Sequence, residues 1–224
     1  MTDQLTERGI VLSTSMLGEY DKRLVILTER LGRITVFANG ARRKNSRFTA
    51  ASQSFTMGSF TLRPGKDTFT LLSVEIIESF LDLTLDPEKY VTAAYVSELT
   101  EAMTRENLPG GDELNLLYVT YRKLLEGSLT PDAIRAAFIF KMMHVEGIAP
   151  GMEEESQLRV SDAARYAIRY IYSRPIGGTY SFRMSEAVAQ ELILLGEKLL
   201  EEHLERPIRS GEILRGMRAF EKNS

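Results

Sequence analysis

The chain has 224 residues, a net charge of −3 and no cysteine, with 43% hydrophobic and 26% charged residues. That composition suits a folded protein with a sizeable core, and it excludes disulfides, thiolate metal sites and cysteine nucleophiles together. No apolar run approaches a membrane span, the opening MTDQLTERGI has no apolar signal segment, and absence of cysteine fits a reducing compartment; a cytoplasmic protein with no membrane partner is expected.

Charge divides unevenly along the chain. Residues 1–80 hold 11 Lys/Arg against 8 Asp/Glu, whereas residues 81–224 hold 17 against 23. A basic N-terminal part and an acidic C-terminal part suggest two modules with different partners.

The first 80 residues read as strands. Runs at Arg8–Leu17, Arg23–Thr28, Arg33–Ala38, Phe55–Arg63 and Thr68–Phe80 are rich in β-formers and separated by turn residues. Gly18-Glu-Tyr-Asp21 and Leu31-Gly32 divide the first three. Asn39-Gly40 ends the third with residues that tolerate positive φ. Arg63-Pro-Gly-Lys66 places Pro and Gly at the centre of a predicted type II turn. Alternation puts Ile34, Val36 and Ala38 on one face and Phe60 and Leu62 on another. Five short strands without a long helix predict a small closed barrel of the OB type, a common platform for nucleic-acid strands. The one long connection covers about residues 40–54.

The remainder reads as helices, which makes the whole an α+β chain of two domains: a five-stranded OB-fold barrel over 1–80 and an all-α domain over 81–224. Asp86-Pro87 opens a helix whose apolar stripe runs through Val91, Tyr95, Leu99 and Met103. Asn107-Leu-Pro-Gly-Gly-Asp112 breaks it. A second stripe follows at Leu114, Leu117, Tyr121 and Leu125. Thr130-Pro131 pairs an N-cap with a first-turn Pro for a helix to about Val145. Ser161-Asp162 caps a helix to about Arg174, and Ser185–Leu204 and Ser210–Phe220 complete the set.

From Arg30 to Lys66 there is no acidic residue among eight basic ones: Arg30, Arg33, Arg42, Arg43, Lys44, Arg47, Arg63 and Lys66. Spread over strands and loops of one barrel, these charges can converge. Arg suits phosphate because its planar fork donates two parallel hydrogen bonds. A nucleic-acid phosphate backbone is the expected partner. The candidate contacts are Arg33, Arg42, Arg43, Lys44, Arg47, Arg63 and Lys66, with Asn45, Ser46 and Thr49 as neutral donors. Phe48 follows the basic run in a predicted loop and is the candidate for stacking on a base. Phe37, Phe60 and Phe69 are expected in the core.

Other chemistry has little support. His144 and His203 lack partners at ligand spacing. Glu153-Glu-Glu155 reads as a solvated acidic loop rather than a cation site. There is no phosphate loop, no Gly-x-Ser-x-Gly and no dinucleotide fingerprint. The acid-free window argues against metal-assisted phosphate chemistry. Neither an enzyme nor a cofactor is expected.

Gly9-Ile-Val-Leu12, Gly18-Glu-Tyr-Asp21, Leu27-Thr-Glu-Arg-Leu-Gly-Arg33 and Gly40-Ala-Arg-Arg-Lys-Asn-Ser-Arg-Phe48 resemble, in order and spacing, the bacterial recombination mediator family RecO. The likeness covers nearly all of the first 80 residues. Phe138–Pro150 resembles the family's helix ending in a Gly-x-x-Pro turn, and Arg206–Leu214 its approach to the C-terminal helix. The resemblance implies an OB-fold followed by a helical domain, and binding of single- and double-stranded DNA. It also implies annealing of complementary strands, and partnership with RecR and single-stranded DNA-binding protein in helping RecA onto gapped DNA. Arg42, Arg43, Lys44 and Arg47 match its DNA-contacting cluster. Many members carry a four-cysteine zinc motif after the Gly-x-x-Pro turn. Here Gly151-Met-Glu-Glu-Glu-Ser-Gln157 stands in its place. The different reading of the same residues is an OB-fold adaptor that uses its basic face for an acidic peptide.

Overall fold

A computed structural model describes residues 4–151 and 159–221. The acidic run Glu153–Glu155, and most of the segment replacing the zinc motif, lie outside the described residues. The chain forms two compact units. One comprises residues 1–85 with 104–114; the other comprises residues 86–103 with 115–224.

The first unit is a closed barrel of β1 (Leu5–Leu17), β2 (Asp21–Thr28), β3 (Gly32–Ala38), β4 (Thr56–Pro64) and β5 (Phe69–Ser79). The circular order is β1-β2-β3-β5-β4, with β1 closing on β4. Every pairing is antiparallel except β3 with β5. β1 pairs with β4 through Leu5–Ile10 and with β2 through Gly9–Leu17. An extra residue at Leu12 shifts the register between Val11 and Ser13, and a bulge there lets one long strand bend to serve both neighbours. Gly9 sits where both pairings overlap. A Cβ there would lie 2.6 Å from the Leu27 carbonyl oxygen, which only glycine avoids.

Alternation fills the interior. Val11, Leu24, Ile26, Ile34, Val36, Ala38, Phe60, Leu62 and Leu71 form one buried cluster. Phe60 is core as expected, and Phe69 packs partly buried against the cluster. Phe37 is not core. Its neighbours Val36 and Ala38 take the inner positions, so period-two geometry turns Phe37 outward, where it is half-buried. The expected type II turn is also absent, since Gly65 does not adopt positive φ. β4 runs on to Pro64, paired with Phe69, and the chain reverses between Gly65 and Thr68, where the Gly65 N–H donates to the Thr68 carbonyl at 2.7 Å.

The β2–β3 turn is fixed by Thr28, whose Oγ1 donates to the Gly32 carbonyl at 2.8 Å and accepts from the Leu31 N–H at 3.2 Å. The segment Thr104–Leu114 straps this turn. Arg33 N–H donates to Arg105 O, Asn107 N–H to Leu31 O and Gly110 N–H to Glu29 O.

The second unit is helical: α1 (Pro87–Met103), the body of α2 (Gly111–Glu126), α3 (Pro131–Val145), α4 (Asp162–Ser173), α5 (Glu186–Leu200) and α6 (Arg209–Glu221). Thr130, Ser161 and Ser185 cap three of these by accepting from the backbone N–H three residues on. The fifth helix stops at Leu200 rather than Leu204, with His203 and Leu204 in a turn whose N–H groups return to the Leu200 carbonyl. α3 is buried from Asp132 to Met143, the pattern of a helix surrounded by others. α1, α4 and α5 pack around it. Buried hydroxyl pairs join elements here: Ser97 with Tyr121 and Thr120 with Tyr180, each at 2.6 Å. Among the described residues no helix is long and apolar enough to cross a membrane.

Candidate nucleic-acid interface

Between β3 and β4 the basic segment folds as successive tight turns, not as an extended loop. N–H groups of Ala41, Arg43, Ser46 and Thr49 each donate to the carbonyl three residues back. Gly40, at φ +68°, starts the reversal. Its N–H donates to Asp21 Oδ1 at 2.7 Å, and the Arg42 N–H donates to the Tyr20 carbonyl at 2.8 Å. Lys22 Nζ donates to the Ser52 carbonyl at 2.9 Å from the other side. The Phe55 N–H then donates to Val11 O at 2.9 Å as the chain enters β4.

This segment has two faces. Ala41, Phe48, Ala51, Ser52 and Phe55 are buried, with Ala41 and Phe48 built into the barrel core. Arg42, Arg43, Lys44, Asn45, Arg47 and Thr49 are exposed, and Ser46 is half-buried. Apolar anchoring therefore decides which side chains remain outside, and those are the cations.

Phe48 corrects the expectation of a stacking ring. It is 6% exposed, because the turns pull it into the end of the barrel to cover Val11, Leu24 and their neighbours. Its outer face is covered by the Arg47 guanidinium, 4.8 Å from the ring centre. Arg47 also donates to the Leu72 carbonyl on β5 at 2.8 Å. Arg42 donates to the carbonyls of Gly18 and Glu19 at 3.3 and 3.0 Å, and Arg43 lies 5.3 Å from the centre of the Tyr20 ring. These contacts orient the guanidinium groups and leave each with further N–H donors. The clustering of charge shows in Lys22, whose ammonium is held below its ordinary pKa by burial and by repulsion from Arg42. Tyr20 is raised above its ordinary value chiefly by its hydrogen bond to Glu19, against the opposing pull of Arg43.

Not every predicted cation joins this cluster. Arg33 pairs with Leu27 at the start of β3, five residues from Ala38, which is roughly 17 Å along a strand. Arg30 lies beyond it and is spent on Glu7, 2.6 Å away and almost fully buried. Arg63 and Lys66 are exposed at the end of β4 and in the turn that follows.

Register shows a row that charge counting missed. Arg23, Phe37, Thr70 and Arg63 are successive cross-strand neighbours on β2, β3, β5 and β4. Neighbours in register share a face, so this row crosses the outside of the barrel over about 14 Å. Arg23 is exposed and donates to Thr35 Oγ1 at 3.3 Å. The half-exposed Phe37 ring thus lies between two arginines. The signal was available: with Val36 and Ala38 inside, Phe37 and its partner Arg23 had to face out.

Residues 1–80 match a family model described as "Recombination protein O N terminal". Along most of its length the chain is similar to the "DNA repair protein RecO" of Acetivibrio thermocellus. That match is 27% identical and covers 90% of this chain and 92% of that protein. Proteins of the same name from Halalkalibacterium halodurans and Bacillus subtilis are 34% and 37% identical; these matches cover 69% and 63% of this chain, and 60% and 55% of those proteins.

Proposed function

The chain belongs to the RecO family, and on that premise we propose that it serves DNA repair and homologous recombination by holding DNA on the outer face of its barrel. The observation that carries this reading is the two-faced segment between β3 and β4. Its apolar side is anchored in the core while Arg42, Arg43, Lys44 and Arg47 are all exposed. Cations held by a rigid base do not have to be ordered again when phosphate arrives, so less entropy opposes binding. The row Arg23–Phe37–Thr70–Arg63 offers a path for a strand, with Phe37 as the ring on which a base stacks. Arg33 and Lys66 both lie beyond this row on the side of the start of β3 and extend the positive surface that way.

The mechanism is electrostatic, with no catalytic step. Single- and double-stranded DNA bind by exchanging counterions for these cations. Two complementary strands repel each other through their phosphates. Neutralising part of that charge lowers the repulsion and lets them pair. Annealing then places the chain upstream of RecA, with RecR and single-stranded DNA-binding protein as its protein partners in the cytoplasm.

Annealing of complementary oligonucleotides at low salt tests the proposal. The chain accelerates it, with RecR and single-stranded DNA-binding protein modulating the rate, and the R42A/R43A/R47A variant loses most of the acceleration. Absence of annealing by the unaltered chain would overturn the reading and favour a barrel adaptor for acidic peptides.

A further inference from the structure

A second reversal of charge lies inside the acidic part of the chain. Residues 159–185 carry five arginines, Arg159, Arg165, Arg169, Arg174 and Arg183, against the single acid Asp162. The same stretch holds Tyr166, Tyr170, Tyr172, Tyr180 and Phe182. Two of these rings belong to the interior. Tyr180 is buried on Thr120, and Tyr172 packs on Phe140 and His144.

The other three form a row on the surface of α4 and the segment after it. Ring centres are 6.4 Å apart for Tyr166 and Tyr170, and 5.2 Å apart for Tyr170 and Phe182. Arg174 stands 4.4 Å from the Tyr170 ring centre, and the Tyr170 hydroxyl bonds Ser181 Oγ at 3.2 Å. The rings line a hollow of about 390 Å³ together with Arg183, Met184 and Val188, and among the described residues no acidic side chain lines it. Glu191, on α5, is occupied with the N–H and Oγ of Ser161, both at 2.6 Å. Tyr166 is 71% exposed, an unusual position for a large ring that serves only packing.

We propose that this aromatic and arginine face of α4 is a second binding site for single-stranded nucleic acid, with bases on Tyr166 and Phe182 and phosphates on Arg169, Arg174 and Arg183. The inference rests on the reading of the chain as a DNA-binding protein, and it supplies what annealing needs, a place for a second strand. Open rings flanked by arginine forks take a flat base of any identity. An acidic peptide would seat its apolar anchor in an enclosed socket, and Tyr166 stands too exposed to form one.

The test measures binding of the full chain to a labelled oligothymidylate and to an abasic oligomer of the same length and charge, by fluorescence anisotropy. Tyr166→Ala weakens oligothymidylate binding roughly tenfold and leaves abasic binding unchanged, while Tyr166→Phe binds like the unaltered chain. Arg174→Ala, also at an exposed position, weakens both. Oligothymidylate binding unchanged in both Ala variants overturns the proposal. The R42A/R43A/R47A variant separates this failure from that of the barrel site. If it loses binding while Tyr166→Ala does not, the barrel reading stands and the second site falls. The opposite pattern keeps the second site and removes the barrel assignment.

Discussion

Replacing Arg42, Arg43 and Arg47 together by Ala removes three exposed cations from the segment between β3 and β4. Each phosphate neutralised on a single strand contributes about −0.7 to the slope of log affinity against log salt. If each of the three meets one phosphate, the variant's slope is flatter by about 2.1. Between 50 and 200 mM salt the unaltered chain then loses about 18-fold more affinity than the variant. The structure also sets the cost to the fold. Arg42 gives up bonds to the Gly18 and Glu19 carbonyls, and Arg47 one to Leu72. These carbonyls lie beside water that can replace the donors, so urea unfolding registers a loss of about 1–2 kcal/mol. Anisotropy titrations of labelled oligothymidylate across a salt series measure the slope, with circular dichroism as the control for folding. The R42K/R43K/R47K variant keeps the charge and therefore the slope. A change smaller than about 0.7, less than one phosphate, refutes the placement of the strand on this segment.

Phe48→Ala tests the corrected position of that ring: it leaves a cavity at the end of the barrel and destabilises by about 3–5 kcal/mol in urea, whereas a loss under about 1 kcal/mol would mean an exposed ring. Gly32→Ala combines a backbone at φ +66° with a Cβ placed 2.2 Å from the Leu108 carbonyl oxygen, so it should cost more than about 2 kcal/mol; an unchanged urea midpoint would show that the Thr104–Leu114 strap does not seat there. His144 is exposed on one side, and its partial burial and the nearby Lys141 depress its pKa below its ordinary 6.5, so the folded state takes up a proton less readily than the unfolded chain. The stability this contributes is complete above pH 6.5 and is lost as pH falls from there through the folded pKa. His144→Gln should flatten that decline, measured by thermal melts between pH 7.5 and about 5; a parallel decline in the variant would assign it to other groups.

Several features were legible because their causes are local. Thr130, Ser161 and Ser185 announce helix starts because a short oxygen before an apolar run satisfies the first free N–H groups, and all three do so. Alternation marked the strands for the same reason, since side chains at period two must divide between inside and outside. Phe37 was misplaced by trusting residue type over that period. The Arg63–Lys66 turn was misplaced because Pro and Gly permit more than one reversal, and pairing of Pro64 with Phe69 selected the later one.

By itself, the sequence determined which segments form strands and helices, where charge of each sign accumulates, and which motifs tie the chain to its family. Each depends on neighbours a few residues apart. What only the tertiary structure decided was which of those side chains meet. Phe48 left the surface because the end of the barrel needed an apolar cover, and Arg30 left the basic cluster because Glu7 lay buried beside it. Arg23 and Arg63 are 40 positions apart in the sequence, yet share a row around Phe37 because β5 is inserted between β3 and β4. Charge density is written along the chain, whereas a binding surface is set by register and burial, which depend on contacts between residues far apart in it.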